Sequence, residues 1–226
     1  MDATYVLVLI GFVITMIASA RVKSTFNKYS GIASAKGITG AEAARIILTN
    51  AGIHDVQIRH ISGSLTDNYD PVNKVLNLSD SVYGSTSVAA VGVAAHECGH
   101  AIQHDEAYAP LAIRSAILPA ANIGSRLSWP IFIAGLIFSF GPLLDVGIIL
   151  FMAAVAFQIV TLPVEFNASA RALRLVEQDG IFYQEEVRDA KKVLSAAAMT
   201  YVAAVAASML QLLRLILLAN SRKGRR

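Results

Sequence analysis

His96 and His100 stand four residues apart, with Glu97 directly after the first of them, in the run His96-Glu97-Cys98-Gly99-His100. On a helix this spacing sets both imidazoles on one face, where they can bind a single tetrahedral metal ion. Glu97, one position along, is placed for its carboxylate to reach a metal-bound water rather than the metal. Zinc lowers the pKa of such a water to about 7, and a neighbouring carboxylate then accepts its proton as the oxygen attacks a carbonyl. These types at this spacing point to zinc-dependent hydrolysis. The plainer alternative is a pair of satisfied core histidines, which the carboxylate between them makes the weaker reading.

A catalytic zinc takes a third protein ligand and keeps one position open. The remaining histidines are His54, His60 and His104. His104 falls one turn further along the same face, where a third ligand from one helix would strain the tetrahedron, so an outer or exposed role is expected. Cys98, the sole cysteine, lies about 200° around a helix from His96 and so faces the packing side. A single thiol also excludes an intramolecular disulfide and the Cys-rich structural zinc sites. Asp67 and Asp70 are ligands by type, yet Asp67-Asn68-Tyr69-Asp70-Pro71 is turn chemistry that explains them without metal. Glu165 is the stronger candidate. It is the first ionisable residue after a long apolar stretch and opens the helical-looking segment Glu165-Phe166-Asn167-Ala168-Ser169-Ala170-Arg171.

The elements that must position these groups can be read from composition and pattern. Of 226 residues, 55% are hydrophobic and 15% charged, and mean hydropathy is +0.55. That balance predicts a membrane protein, mainly α with a small β-sheet, with its active-site helix in a polar part. The net charge of +3 is modest. Its C-terminal run Arg222, Lys223, Arg225, Arg226 reads as a lipid-headgroup anchor rather than a nucleic-acid patch.

The whole chain, 1–226, reads as one membrane domain. Residues 4–20 are uncharged and read as a retained signal-anchor, since the preceding segment carries Asp2 and no basic residue. Residues 21–128 hold the motif helix. Within them Thr39 caps a helix with Glu42 at the capping-box offset, and Gly52 ends it. Val56–Ile61 and Lys74–Leu78 alternate apolar and polar, predicting a hairpin or meander. The motif helix starts after Tyr83-Gly84-Ser85-Thr86-Ser87, and Pro110 and Pro119 are expected to interrupt the segment beyond it. Residues 129–164 contain one charge, Asp145, and a break at Gly141-Pro142, predicting a helical hairpin across the bilayer. Residues 165–195 carry the third-ligand region. Residues 196–219, with Gln211 and Arg214, either span or lie in the interface.

Taken together, Ala94-Ala95-His96-Glu97-Cys98-Gly99-His100-Ala101-Ile102-Gln103 and Pro163-Val164-Glu165-Phe166-Asn167-Ala168-Ser169 resemble the bacterial neutral zinc metallopeptidases of the YugP-like membrane family. The resemblance extends to Leu65–Pro71 and Ala196–Val202. It implies a gluzincin-type site with His96, His100 and Glu165 on zinc and Glu97 as general base. It also implies a distant relation to the HtpX-like and CAAX-processing membrane peptidases. The chain departs from the family pattern at Asn167, where an acidic residue is frequent, and at Asn68, where a histidine is common. In such folds the strand before the motif helix pairs with an extended substrate, which marks residues 74–78. An oxyanion stabiliser is required in principle. Tyr201 is the first choice among Tyr201, Tyr69 and Arg171, against the plainer reading of Tyr201 as an interfacial anchor.

The expected partners are a peptide, unfolded or membrane-protein substrate and the lipid bilayer, with no nucleic acid. Arg21, Lys23, Arg171 and Arg174 near span ends favour a multi-pass cell-membrane protein with a cytoplasmic active site. A catalytically silent metal-binding scaffold is the alternative. Metal transport through Asp145, Gln158 and Glu165 would need more ionisable groups within the spans.

Overall fold

The computed structural model describes residues 4–223, so Arg225 and Arg226 of the basic run lie outside the described residues. The order of elements is α1 (Tyr5–Ser30), α2 (Gly40–Asn50), β1 (Gln57–Ile61), β2 (Asn68–Asp70), β3 (Val75–Ser79), α3 (Val88–Asp105), α4 (Ala109–Ile137), α5 (Gly141–Gln178) and α6 (Gln184–Lys223). The protein is mainly helical with one small sheet. Two compact units emerge, Ala20–Leu111 with Val164–Ala198, and Met1–Ser19 with Ala112–Pro163 and Met199–Arg226.

In the first unit, α2 begins as its sequence dictates. The Thr39 hydroxyl accepts from the Glu42 amide at 3.2 Å, and the Thr39 amide donates to the Glu42 carboxylate at 2.8 Å. The Thr39 amide, joined by the Thr39 hydroxyl donating to the same carboxylate at 2.8 Å, holds the Glu42 carboxyl below its ordinary range. The motif helix α3 is capped by Ser87, whose Oγ accepts from the Ala90 amide at 3.1 Å. Its first turns are small residues, Ala89, Ala90, Ala94 and Ala95, all fully buried. Around them pack Ile47 of α2, Leu76 and Leu78 of β3, Ala172 and Val176 of α5, and Ala190 and Val193 of α6. Each large aliphatic side chain fully buried there contributes about 2 kcal/mol.

The sheet has the order β1-β3-β2. The turn-like Asn68–Asp70 is a short strand antiparallel to β3, with Tyr69 opposite Leu76. β1 lies on the other side of β3 and parallel to it, with Ile58 opposite Leu76. The hairpin is therefore β2–β3, and the two alternating segments are parallel neighbours rather than successive arms of a meander. It follows that β3 is flanked on both sides. Residues 74–78 offer no open edge to a substrate; the outer edges belong to β1 and β2.

In the second unit, α1 and α6 run antiparallel. Arg214 stacks its guanidinium 4.3 Å from the Tyr5 ring centre, and a Cβ at Gly11 would lie 3.2 Å from Ala207 Cβ. Phe132, Leu144, Leu215 and Ala219 form a cluster joining α4, α5 and α6. Helices α1, α5 and α6 are long and apolar enough to cross a membrane. Helix α4 is not among them. Pro110 sits in its first turn, where the missing N–H costs nothing, while Pro119 and Pro130 lie inside it without ending it. The expected interruption at Pro119 does not occur; apolar helices tolerate proline where neighbours satisfy the freed backbone.

Candidate metal centre

Two helices build the site. α3 presents His96 and His100 one turn apart, their rings 4.8 Å between centres and nearly perpendicular. α5 presents Glu165, only 3% exposed. Its Oε2 lies 3.3 Å from His96 Nε2 and 3.5 Å from His100 Nε2. One ligand atom from each of the three residues falls within 4.8 Å of the others, a spacing that can hold a metal ion. The helices approach this closely because Gly99 has no side chain. A Cβ there would stand 2.7 Å from the Ala168 carbonyl oxygen. The residue that costs about 1 kcal/mol of helix propensity is thus what allows α5 to reach the histidines.

The donor chemistry fits zinc, which accepts imidazole nitrogen and carboxylate oxygen together. Each histidine has its far nitrogen engaged elsewhere. His96 Nδ1 is 3.1 Å from Ser169 Oγ, and His100 Nδ1 is 3.1 Å from Gln103 Oε1. Both Nε2 atoms are thereby turned toward Glu165, the arrangement by which metal-binding histidines are oriented.

Glu97 is buried beside these groups, on the same helix. Burial pushes its carboxyl above the ordinary range, opposed by the charges of His96 and His100 and reinforced by Glu165 and Asp67. Burial alone would lower His100, but the bond to Glu165 and the charge of Glu97 raise it overall.

The other candidates fall elsewhere. Asp67 accepts from the Ser79 amide at 2.7 Å and its hydroxyl at 2.9 Å, serving the end of β3. Asp70 accepts from the amides of Val72 and Asn73, as a turn residue does. His104 is exposed, and its Nδ1 meets the Tyr69 hydroxyl at 2.9 Å. Cys98 is buried against Ala44, on the packing side. Asn68 joins Asn77 and Thr66 within the sheet region. Arg171 donates to Asn167 at 2.8 Å and pairs with Glu106 at 2.7 Å. Tyr201 lies on α6 in the other compact unit, 37% exposed.

Sequence reasoning singled out Asn167 as a departure from the family pattern but missed the outer partners Gln103 and Ser169. The signal was present as spacing: Gln103 follows His100 by three and Ser169 follows Glu165 by four, each sharing a helix face with its neighbour.

The family described as "Putative neutral zinc metallopeptidase" matches residues 4–220. A protein of Bacillus subtilis (strain 168) named "Putative membrane protease YugP" is 46% identical over 201 residues, covering 89% of each chain. No solved structure matches the chain.

Proposed function

The chain belongs to this zinc metallopeptidase family, and on that premise we propose that it is a membrane-embedded endopeptidase hydrolysing peptide bonds of unfolded or membrane-protein segments. The observation that carries the proposal is the convergence of His96, His100 and Glu165 within 4.8 Å. They are the proposed ligands, two imidazoles and one carboxylate. Zinc bound there supplies a Lewis acid that acidifies water and polarises the scissile carbonyl.

Glu97 is the proposed general base. It takes the proton of the attacking water and returns it to the amine leaving group as the peptide bond breaks. Its burial on the same helix, directly after His96, supports that role. For the oxyanion we propose Tyr201 on its side-chain chemistry alone, a phenol able to donate, tested by the kcat of Tyr201→Phe; an unchanged kcat removes it.

An extended substrate needs an open strand edge. β2 is such an edge, and its Tyr69 bonds to α3 one turn beyond the ligands. We place substrate docking there. We further propose that the site faces the cytoplasm, which by the basic tail after residue 221 goes with an interfacial rather than a spanning α6. An epitope inserted at Gly63, resistant to external protease in intact cells, is the expected result; digestion would invert the topology.

The central test compares wild type with Glu97→Gln, purified in detergent, for zinc content and cleavage of unfolded casein. The expected result is about one zinc in each, cleavage by wild type alone, and loss of that cleavage with chelator. Zinc in both with cleavage by neither would favour the silent scaffold. Absence of zinc from both would remove the proposal's foundation.

A further inference from the structure

Gln103 is completely buried, yet it is a primary amide with two donors and one acceptor to satisfy. Its Nε2 lies 2.9 Å from the Val164 backbone carbonyl and 2.9 Å from Asn167 Oδ1. A carbonyl oxygen can only accept, so the Gln103 atom facing Val164 must be the NH2 group. That fixes the amide. Its Oε1 then faces His100 Nδ1 at 3.1 Å, and because Oε1 can only accept, Nδ1 must carry a hydrogen.

The outer half of the network has the same directional logic. Asn167 Oδ1 accepts from Gln103 Nε2 and also from Arg171 Nε at 2.8 Å. Arg171 is itself held by Glu106 at 2.7 Å and lies over the Tyr108 ring. It is a donor only, so it forces the oxygen of Asn167 inward. Gln103 and Glu106 come from α3 and its cap, Asn167 and Arg171 from α5. The four alternate across the same helix pair that carries the proposed ligands.

We propose that Gln103, Asn167 and Arg171 are positioning residues that lock His100 in the tautomer with its Nε2 lone pair directed at the metal. The two histidines then differ in kind. His96 faces the Ser169 hydroxyl, which can donate or accept and so imposes no tautomer. His100 faces an oxygen that cannot reverse. The departure at Asn167 also gains a reason, since its service here is acceptance through one oxygen, which a carboxylate performs equally.

This inference rests on the zinc-ligand reading above. Its test measures zinc affinity of the full chain in detergent by competition with a chromophoric chelator, together with the visible spectrum of the cobalt-substituted protein. Gln103→Leu is expected to weaken zinc binding by about 10- to 100-fold and to alter the cobalt spectrum. Asn167→Leu is expected to weaken it less, and Asn167→Asp to restore it. Wild-type affinity and spectrum in Gln103→Leu would overturn the relay. Should Gln103→Leu not fold, equal affinities in Asn167→Leu and Asn167→Asp would overturn it instead. Wild type that binds no zinc would refute the ligand reading itself, a separate outcome.

Discussion

Gly99 and Ala168 meet backbone to backbone where α3 and α5 converge, with 2.7 Å between the Ala168 carbonyl oxygen and the place a Gly99 side chain would occupy. Nothing there is the far end of a flexible chain; the three nearest atoms are all main chain of Ala168. Gly99→Ala would recover about 1 kcal/mol of helix propensity yet must push the helices apart, and overpacking of this kind costs about 1–3 kcal/mol. We expect a lower melting temperature and a larger fall in zinc content, because the displaced helix carries Glu165. Calorimetry and metal analysis of the same sample check both. Full zinc occupancy in a stable Gly99→Ala protein would show that the close approach does not set the ligand geometry.

Metal should stabilise the fold. A ligand that binds only the native state adds about 2.7 kcal/mol when its free concentration is one hundred times Kd. Chelation should therefore lower the melting temperature of wild type, with zinc restoring it. Glu97→Gln should keep this increment and Glu165→Ala should lose most of it. Equal zinc-dependent shifts in wild type and Glu165→Ala would remove Glu165 from the ligand set.

At high pH, Tyr69 should have its own signature. Burial first, then the charges of Asp55, Asp70 and Asp105, push its phenol up to about 12 from the usual 10. The native state holds this proton more tightly than the unfolded chain. The associated stability is complete below pH 10 and declines between pH 10 and about 12. Denaturant unfolding across that window should fall more steeply for wild type than for Tyr69→Phe. Ultraviolet titration should show one late-ionising tyrosine that disappears in the variant. Identical slopes would mean Tyr69 titrates normally.

The pairing of α1 with α6 is open to cross-linking. A Cβ at Gly11 would lie 3.2 Å from Ala207 Cβ, close to the roughly 3.5–4.5 Å spacing of disulfides. Gly11→Cys with Ala207→Cys should oxidise to an intramolecular bond detectable by comparing reducing and non-reducing electrophoresis. Lack of bond formation under mild oxidant would argue that α6 does not lie along α1.

How far the sequence foretold this arrangement depended on whether the signal was local. Thr39 with Glu42, and the hydroxyl run Ser85-Thr86-Ser87 of which Ser87 proves to be the cap, announce helix starts because a cap is settled within four residues. His96, Glu97 and His100 were legible for the same reason. Glu165, sixty-five residues after His100, was reached through its place at the end of an apolar run. The parallel pairing of β1 with β3 was not legible, because alternation marks a strand without naming its neighbour. Asn68–Asp70 reads as a turn by composition, and only pairing with β3 makes it a strand. Pro119 misled because proline rules drawn from water-exposed helices weaken in an apolar bundle. Gly99 and Gln103 acquire their meaning from α5, which no window around them contains.

Cys98 ends up fully buried beneath the motif, its sulfur 3.7 Å from the Ala44 carbonyl, with burial raising its thiol well above the ordinary range. The native chain therefore carries a single silent reporter in the helix that matters most. A maleimide can reach it only when α2 and α3 part, so labelling speed becomes a clock for the opening of the motif helix. No engineered probe is needed to watch zinc, substrate or lipid slow that clock.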